Sequence, residues 1–204
     1  MAREWQNRAR FRHYHDTRNC FWVTVPVHRP NGQASLIQDI EIYDYASFKR
    51  NFLKSISATY RNSPFLGWVE DYCHRLTSIN YTSFGDLAKD STSLVLNMVG
   101  LDKPMIASSS IETIDRTRGQ DRTDRLIRIC EAVGASRYLS GSGGMRYLKP
   151  EKFVNGSVSL LIQRWENPAA DGMLDWRNIS FLDYVARFGP DAMLSHIHGD
   201  VVWQ

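Results

Sequence analysis

The stretch RLIRICEAVGASRYLSGSGG, residues 125–144, carries a helix, a strand and a glycine-rich turn in immediate succession. Leu126, Ile127, Cys130 and Val133 recur at the spacing of one helical face, which predicts a buried apolar stripe, and leave Arg125 and Arg128 off it. Upstream, Asp121 with Asp124 three residues on supplies an N-cap, and Gly134 is a fitting helix stop. RYLSG then reads as a short strand that opens into SGSGG at 140–144. A helix feeding a strand that ends in glycines is a unit of α/β architecture.

The pattern continues on both sides. Downstream, SVSLLIQRW at 157–165 predicts another strand and FLDYVARFG at 181–189 another helix, broken at Gly189-Pro190; DAMLSHI adds a last short turn of helix. Upstream, Phe48, Phe52, Ile56 and Tyr60 step by four and predict a helix closed by Ser63-Pro64. Trp68, Tyr72 and Leu76 predict a second. A third begins near Ser83 or Phe84, carries Leu87, Leu94, Met98 and Val99, and ends at Gly100. Before these, residues 20–43 read as two strands around the turn RPNGQ at 29–33. Phe21, Val23, Val25 and Val27 alternate in the first, and Ile40 and Ile42 mark the second. Pro26 withholds a ladder donor, which predicts an edge or a bulge there. After Lys103-Pro104, MIAS reads as a short strand and the polar stretch from Ser108 to Gly119 as a mobile loop. The expectation is a single mixed α/β domain over residues 1–204 with strands and helices alternating.

Composition narrows the class. The chain has 204 residues, 43% hydrophobic and 12% aromatic, which is enough for a packed core. No run approaches the roughly 20 apolar residues of a membrane span, and MAREWQNRAR is followed by no apolar run of a signal peptide. Cys20, Cys73 and Cys130 are odd in number and lack metal-ligand spacing, so neither a disulfide framework nor a metal site is expected. A reducing cytoplasmic setting follows, in which the N-x-S/T triplets at Asn80, Asn155 and Asn178 carry no meaning. Net charge is +3. Arg3, Arg8, Arg10, Arg12 and Arg18, against Glu4 and Asp16, hold that whole surplus. A second arginine-dense stretch spans Arg116 to Arg128. Both suit an anionic ligand as well as a solvated surface.

Four groups of residues bear on chemistry. SGSGG can cradle an anion with backbone amides and with the hydroxyls of Ser140 and Ser142, or can be a plain turn; it is neither a Walker A loop nor G-x-G-x-x-G. Cys130 can be an acyl-accepting thiol with His196 or His198 as a distant base, or a small hydrophobe on its stripe. Cys73 stands one position off the Trp68/Tyr72/Leu76 line, and Cys73–His74 is no dyad because adjacent helical residues diverge. Asp183 in SFLDY requires a partner if buried, for instance Arg125, and can act as a general base if it faces a cleft. His196, His198 and Asp200 are a weak metal signal near a chain end.

In order and spacing, several of these segments resemble the WbqC-like family. They are WQNR at 5–8, WVTVPV at 22–27, RLIRICEAVGASRYLSGSGG at 125–144 with Tyr147, and SFLDYVARFGPDA at 180–192. The resemblance implies that Asn7, Arg8, Arg125, Tyr138, Ser140, Gly141, Tyr147, Ser180 and Asp183 fall on motif positions of a polar site. It also implies a biosynthetic role near surface polysaccharides or small molecules. Members usually begin, well before WQNR, with a strand and a segment Q-P-x-Y-x-P-W that this sequence lacks. That departure implies a shorter variant or an incomplete centre.

Three functions follow as expectations. The first is a transferase joining a small acyl or aminoacyl group, glycine-like, to an amine of a sugar or other metabolite. Its arginines and SGSGG amides would hold an anionic substrate or carrier-bound acyl donor, and it would need no cofactor. The second is an accessory protein that binds such a ligand without turnover. The third, nucleic-acid binding through Arg3–Arg18 with Trp5, Phe11 and Tyr14, is disfavoured by a charge of only +3. An edge at Pro26 would leave room for a homodimer.

Overall fold

In the computed structural model, the described residues are 7–32, 35–112, 121–154, 156–163, 174, 176 and 178–198, the last three without their side chains. The chain is mixed α/β and gathers into two compact units, Met1–Met105 with Asn167–Ile197, and Ile106–Glu166 with His198–Gln204.

The first unit opens with β1 (Arg8–Arg12), antiparallel to β2 (Cys20–Thr24) in a register that sets Arg8 against Thr24 and Arg12 against Cys20. Sequence reading placed these arginines in a basic stretch suited to an anionic ligand or to a solvated surface. They belong instead to a strand whose inward positions include Phe11, 2% exposed, and Arg12, 5% exposed. The run predicted through Val27 is interrupted: β2 stops at Thr24, and β3 (Val27–His28) pairs with β4 (Glu41–Ile42). Pro26 sits between β2 and β3, where its missing N–H costs nothing and its carbonyl accepts from Tyr43 N at 3.1 Å. The second predicted strand shrinks to Glu41–Ile42, because Ile37–Asp39 coil into a 3-10 turn.

Three helices follow as the periodicity predicts: α1 (Tyr45–Tyr60), α2 (Leu66–Leu76) and α3 (Phe84–Met98). Asp44 and Ser83 cap α1 and α3 by accepting from Ser47 N and Asp86 N. Gly100 (φ 79°) follows α3 in the left-handed region that glycine alone enters cheaply. The core joins Phe52, Ile56 and Tyr60 of α1 to Val69, Tyr72 and Leu76 of α2 and to Phe84 and Leu87 of α3. Cys73 belongs to it, 1% exposed, because the buried face of α2 is centred between Val69 and Cys73 rather than on Trp68.

The strand expected at MIAS does not form: residues 101–107 are irregular, and Ser108–Ser110 form a 3-10 turn. From residue 113 the expected mobile stretch lies outside the described residues. In the second unit α4 (Arg122–Ala132), capped by Asp121, packs on β5 (Arg137–Gly141), which runs parallel to β6 (Ser159–Gln163). Between the strands, Ser142–Arg146 form a 3-10 turn and α5 (Glu151–Val154) a single helical turn that sequence reading had not placed. Cys130, Leu148, Phe153 and Val158 form the core, with Leu126 and Ile127 packed against it. Val133, expected in that core, is 43% exposed, since α4 ends one residue earlier and the chain leaves the helix there.

The chain then returns to the first unit with α6 (Phe181–Phe188) and α7 (Pro190–His198). Ser180 caps α6, and Leu182, Val185 and Ala186 complete the core of α1 to α3. Among the described residues no helix is long and apolar enough to cross a membrane.

Candidate functional site

The SGSGG run ends a parallel strand, the position where α/β folds present ligand-facing backbone. Its glycines divide into two kinds. At Gly144 a Cβ would strike the Ser140 hydroxyl and stand 3.1 Å from Leu148, so close packing demands glycine there. At Gly141 and Gly143 a Cβ would meet nothing within 4 Å, and neither has a positive φ. Neither backbone strain nor a packed neighbour explains those two glycines. Open space stands over that stretch of backbone instead.

A cleft of about 740 Å³ adjoins it, lined by Ser142, Met145, Phe153, Leu160 and Ile162 among others. Met145 is 49% exposed, an apolar group left facing water. Tyr138 stacks on Phe153 with ring centroids 6.0 Å apart, and burial pushes its phenol pKa up. Ser140 is buried and donates to the Gly141 carbonyl at 3.1 Å. Tyr147 is exposed and lies under the Arg122 guanidinium, 5.7 Å from ring centre to cation. Arg125 is exposed on α4, and among the described residues no ion pair or hydrogen bond engages its guanidinium. The acids near it are already taken: Lys149 binds Asp121, and Lys152 reaches Asp124 at 2.7 Å.

Cys130 lies on the core side of α4, 6% exposed, and desolvation raises its thiol pKa. A thiol in that state is mostly protonated and shielded, the opposite of a nucleophile's environment. The imidazoles of His196 and His198 lie outside the described side chains.

In the first unit, Asp183 is fully buried. Tyr60 donates to its Oδ1 at 3.1 Å, Arg187 reaches Oδ1 at 3.2 Å and Oδ2 at 3.4 Å, and Arg12 stands 3.7 Å from Oδ2. Burial raises the carboxyl pKa, while Arg187, Arg12 and Tyr60 pull against that rise. The same surroundings drive the Tyr60 phenol far above its ordinary range, first by burial and then by the Asp183 charge. Arg187 also donates to the carbonyls of Tyr14 at 3.1 Å and His13 at 3.2 Å, tying the β1–β2 hairpin to α6. Asp183 thus finds its cations in its own unit, where sequence reading offered Arg125.

Asn7 and Arg8 serve the hairpin. Asn7 Nδ2 donates to the Val25 carbonyl at 2.9 Å, and the Arg8 guanidinium lies 4.5 Å from the centre of the Trp22 ring.

The nine motif positions therefore fall in two groups. Arg125, Tyr138, Ser140, Gly141 and Tyr147 lie in the second unit; Asn7, Arg8, Ser180 and Asp183 lie in the first. Arg12, Tyr60 and Arg187 were not read from the sequence as partners of Asp183. Arg187 was legible, because it follows Asp183 by four residues on a helix. Arg12 was not, since its inward direction depends on a strand hidden in a charged segment. Among the described residues no group of three or more His, Cys, Asp or Glu side chains is placed to hold a metal ion. The model of the WbqC-like protein family matches residues 1–194, whereas no curated protein and no solved structure matches the chain.

Proposed function

The chain belongs to the WbqC-like protein family, and on that premise we propose that it is a biosynthetic transferase joining a small acyl or aminoacyl group to an amine. The observation that carries this reading is the pair Gly141 and Gly143, glycines that the fold itself does not require, beside a cleft of about 740 Å³. Glycine lets an anionic group approach the backbone, and Ser142 adds a hydroxyl at the same edge. Arg125, exposed and uncommitted, supplies a permanent charge with a planar fork suited to carboxylate or phosphate. The donor would be held through its anion, and catalysis would come from holding donor and amine together.

A second reading, a ligand-binding accessory protein without turnover, is favoured by one specific observation. Both groups proposed for chemistry, Asp183 and Cys130, are buried, and Asp183 is already engaged by Arg12, Arg187 and Tyr60.

Calorimetry with inorganic phosphate, nucleotides and amino acids tests the shared premise of both readings. Gly143→Val and Arg125→Lys are expected to fold normally yet bind the anion about 10- to 150-fold more weakly, the range for losing one charge-assisted contact. Absence of anion binding by the unmutated protein would overturn the site. Anion binding without aminoacyl or acyl transfer from activated donors to amino sugars would select the accessory reading.

A further inference from the structure

On the first unit, β2 and the start of α1 enclose a groove of about 310 Å³ that the transferase reading does not use. Trp22 and Tyr43, 50% and 60% exposed, line it together with Phe48. Large aromatic side chains are costly to leave in water, and two at one groove are a signature of a binding surface rather than of scattered exposure. Arg8 lies against the Trp22 ring at 4.5 Å without itself lining the groove. A ring that packs on a neighbour has fewer arrangements to lose, which lowers the ordering cost of a ligand stacked on it.

The polar groups at the groove have capacity to spare. Asp44 uses Oδ1 to cap α1 through Ser47 N, and nothing described engages its Oδ2. The side chains of Asn51 and Ser55, one helical turn apart along α1, make no hydrogen bond among the described residues. A carboxylate, an amide and a hydroxyl thus line the same groove as two exposed aromatic rings, and no cationic side chain lines it. The ligand that uses all of these is a ring with an apolar C–H face and hydroxyls on its rim. The face stacks on an aromatic plane, and the hydroxyls both donate to a carboxylate and accept from an amide. An anionic ligand is disfavoured by Asp44. A proline-rich peptide would use the aromatics but leave most of the polar groups without partners.

We propose that this groove is a carbohydrate-binding site, taking a neutral sugar ring on Trp22 and Tyr43 with Asp44, Asn51 and Ser55 holding its hydroxyls. The inference does not rest on the transferase reading, since it concerns binding in the first unit alone.

The full chain is titrated by calorimetry with glucose, galactose and N-acetylglucosamine, and separately with a proline-rich peptide. Saturable binding of at least one sugar is expected. Trp22→Ala and Asn51→Ala should each weaken it about tenfold or more, the equivalent of losing one stacking or hydrogen-bonding contact. Asn51 is exposed, so its variant keeps the fold even if Trp22→Ala does not, and thermal melts of both establish that. No binding of any sugar, binding that Asn51→Ala leaves unchanged, or binding of the peptide in place of the sugars would each overturn the proposal. Anion binding at Arg125 is measured in the same protein and stands or falls separately.

Discussion

Arg187 grips both carboxylate oxygens of Asp183 one helical turn earlier, through Nη2 to Oδ1 at 3.2 Å and Nε to Oδ2 at 3.4 Å. The same guanidinium donates to the His13 and Tyr14 carbonyls and packs over the Tyr14 ring at 5.0 Å. The pair therefore joins α6 to the hairpin, while Tyr60 joins it to α1. Three elements far apart in sequence meet on one carboxylate.

Asp183→Ala is expected to destabilise the protein by about 3–5 kcal/mol, because it leaves Arg12 and Arg187 near a site emptied of its negative charge. Tyr60→Phe, which removes one donor and keeps the ring in its packing, should cost less, about 1–3 kcal/mol. Urea denaturation of the two variants checks both the losses and their order. A general base at Asp183 would give a different result: Asp183→Ala would fold with little loss and fail only in turnover.

The cysteines give a second prediction. Burial pushes the Cys73 thiol up to about 12 and raises that of Cys130 as well, whereas Cys20 is only half-buried. A thiol reagent at neutral pH should therefore modify about one thiol per native chain, at Cys20, and all three after denaturation. Mass mapping of the labelled peptides identifies the site. Fast native labelling at Cys130 would revive it as a nucleophile.

How far the sequence alone reached follows from which signals are local. Helical periodicity is local, so α1, α2, α3, α4 and α6 were legible, and so was the cap Asp121. The strand β5 was legible because RYLSG is framed by Gly134 and the glycine run. The strand β1 was hidden: alternating arginines look like a basic arm until Cys20–Thr24 pair with them and bury Arg12. The strand read at MIAS failed for the converse reason. A short apolar run becomes a strand only if another strand lies beside it, and residues 105–108 have no such neighbour among the described residues. At the candidate sites the motif residues were visible but their directions were not. Tyr60 read only as a core aromatic, and nothing local announces that its hydroxyl meets Asp183.

The last prediction concerns acid. Lys149 hydrogen-bonds Asp121, and the amides of Thr123 and Asp124 do so as well, which together hold the Asp121 carboxyl well below the ordinary carboxylate range. A carboxyl whose pKa is lower when folded binds fewer protons in the folded state than in the unfolded one. Its stabilising contribution is therefore complete above the unfolded value, about 4, and is lost as pH falls from there toward the folded value. Asp121→Asn separates this charge effect from capping, since asparagine still accepts from the amides at the start of α4. The variant should keep the α4 signal at neutral pH and lose stability less steeply between about pH 4 and pH 2 than the unmutated chain. Hydrogen exchange of the α4 amides over that range reads the difference within the second unit. Equal acid sensitivity in both proteins would show that the Lys149–Asp121 pair contributes nothing beyond the cap.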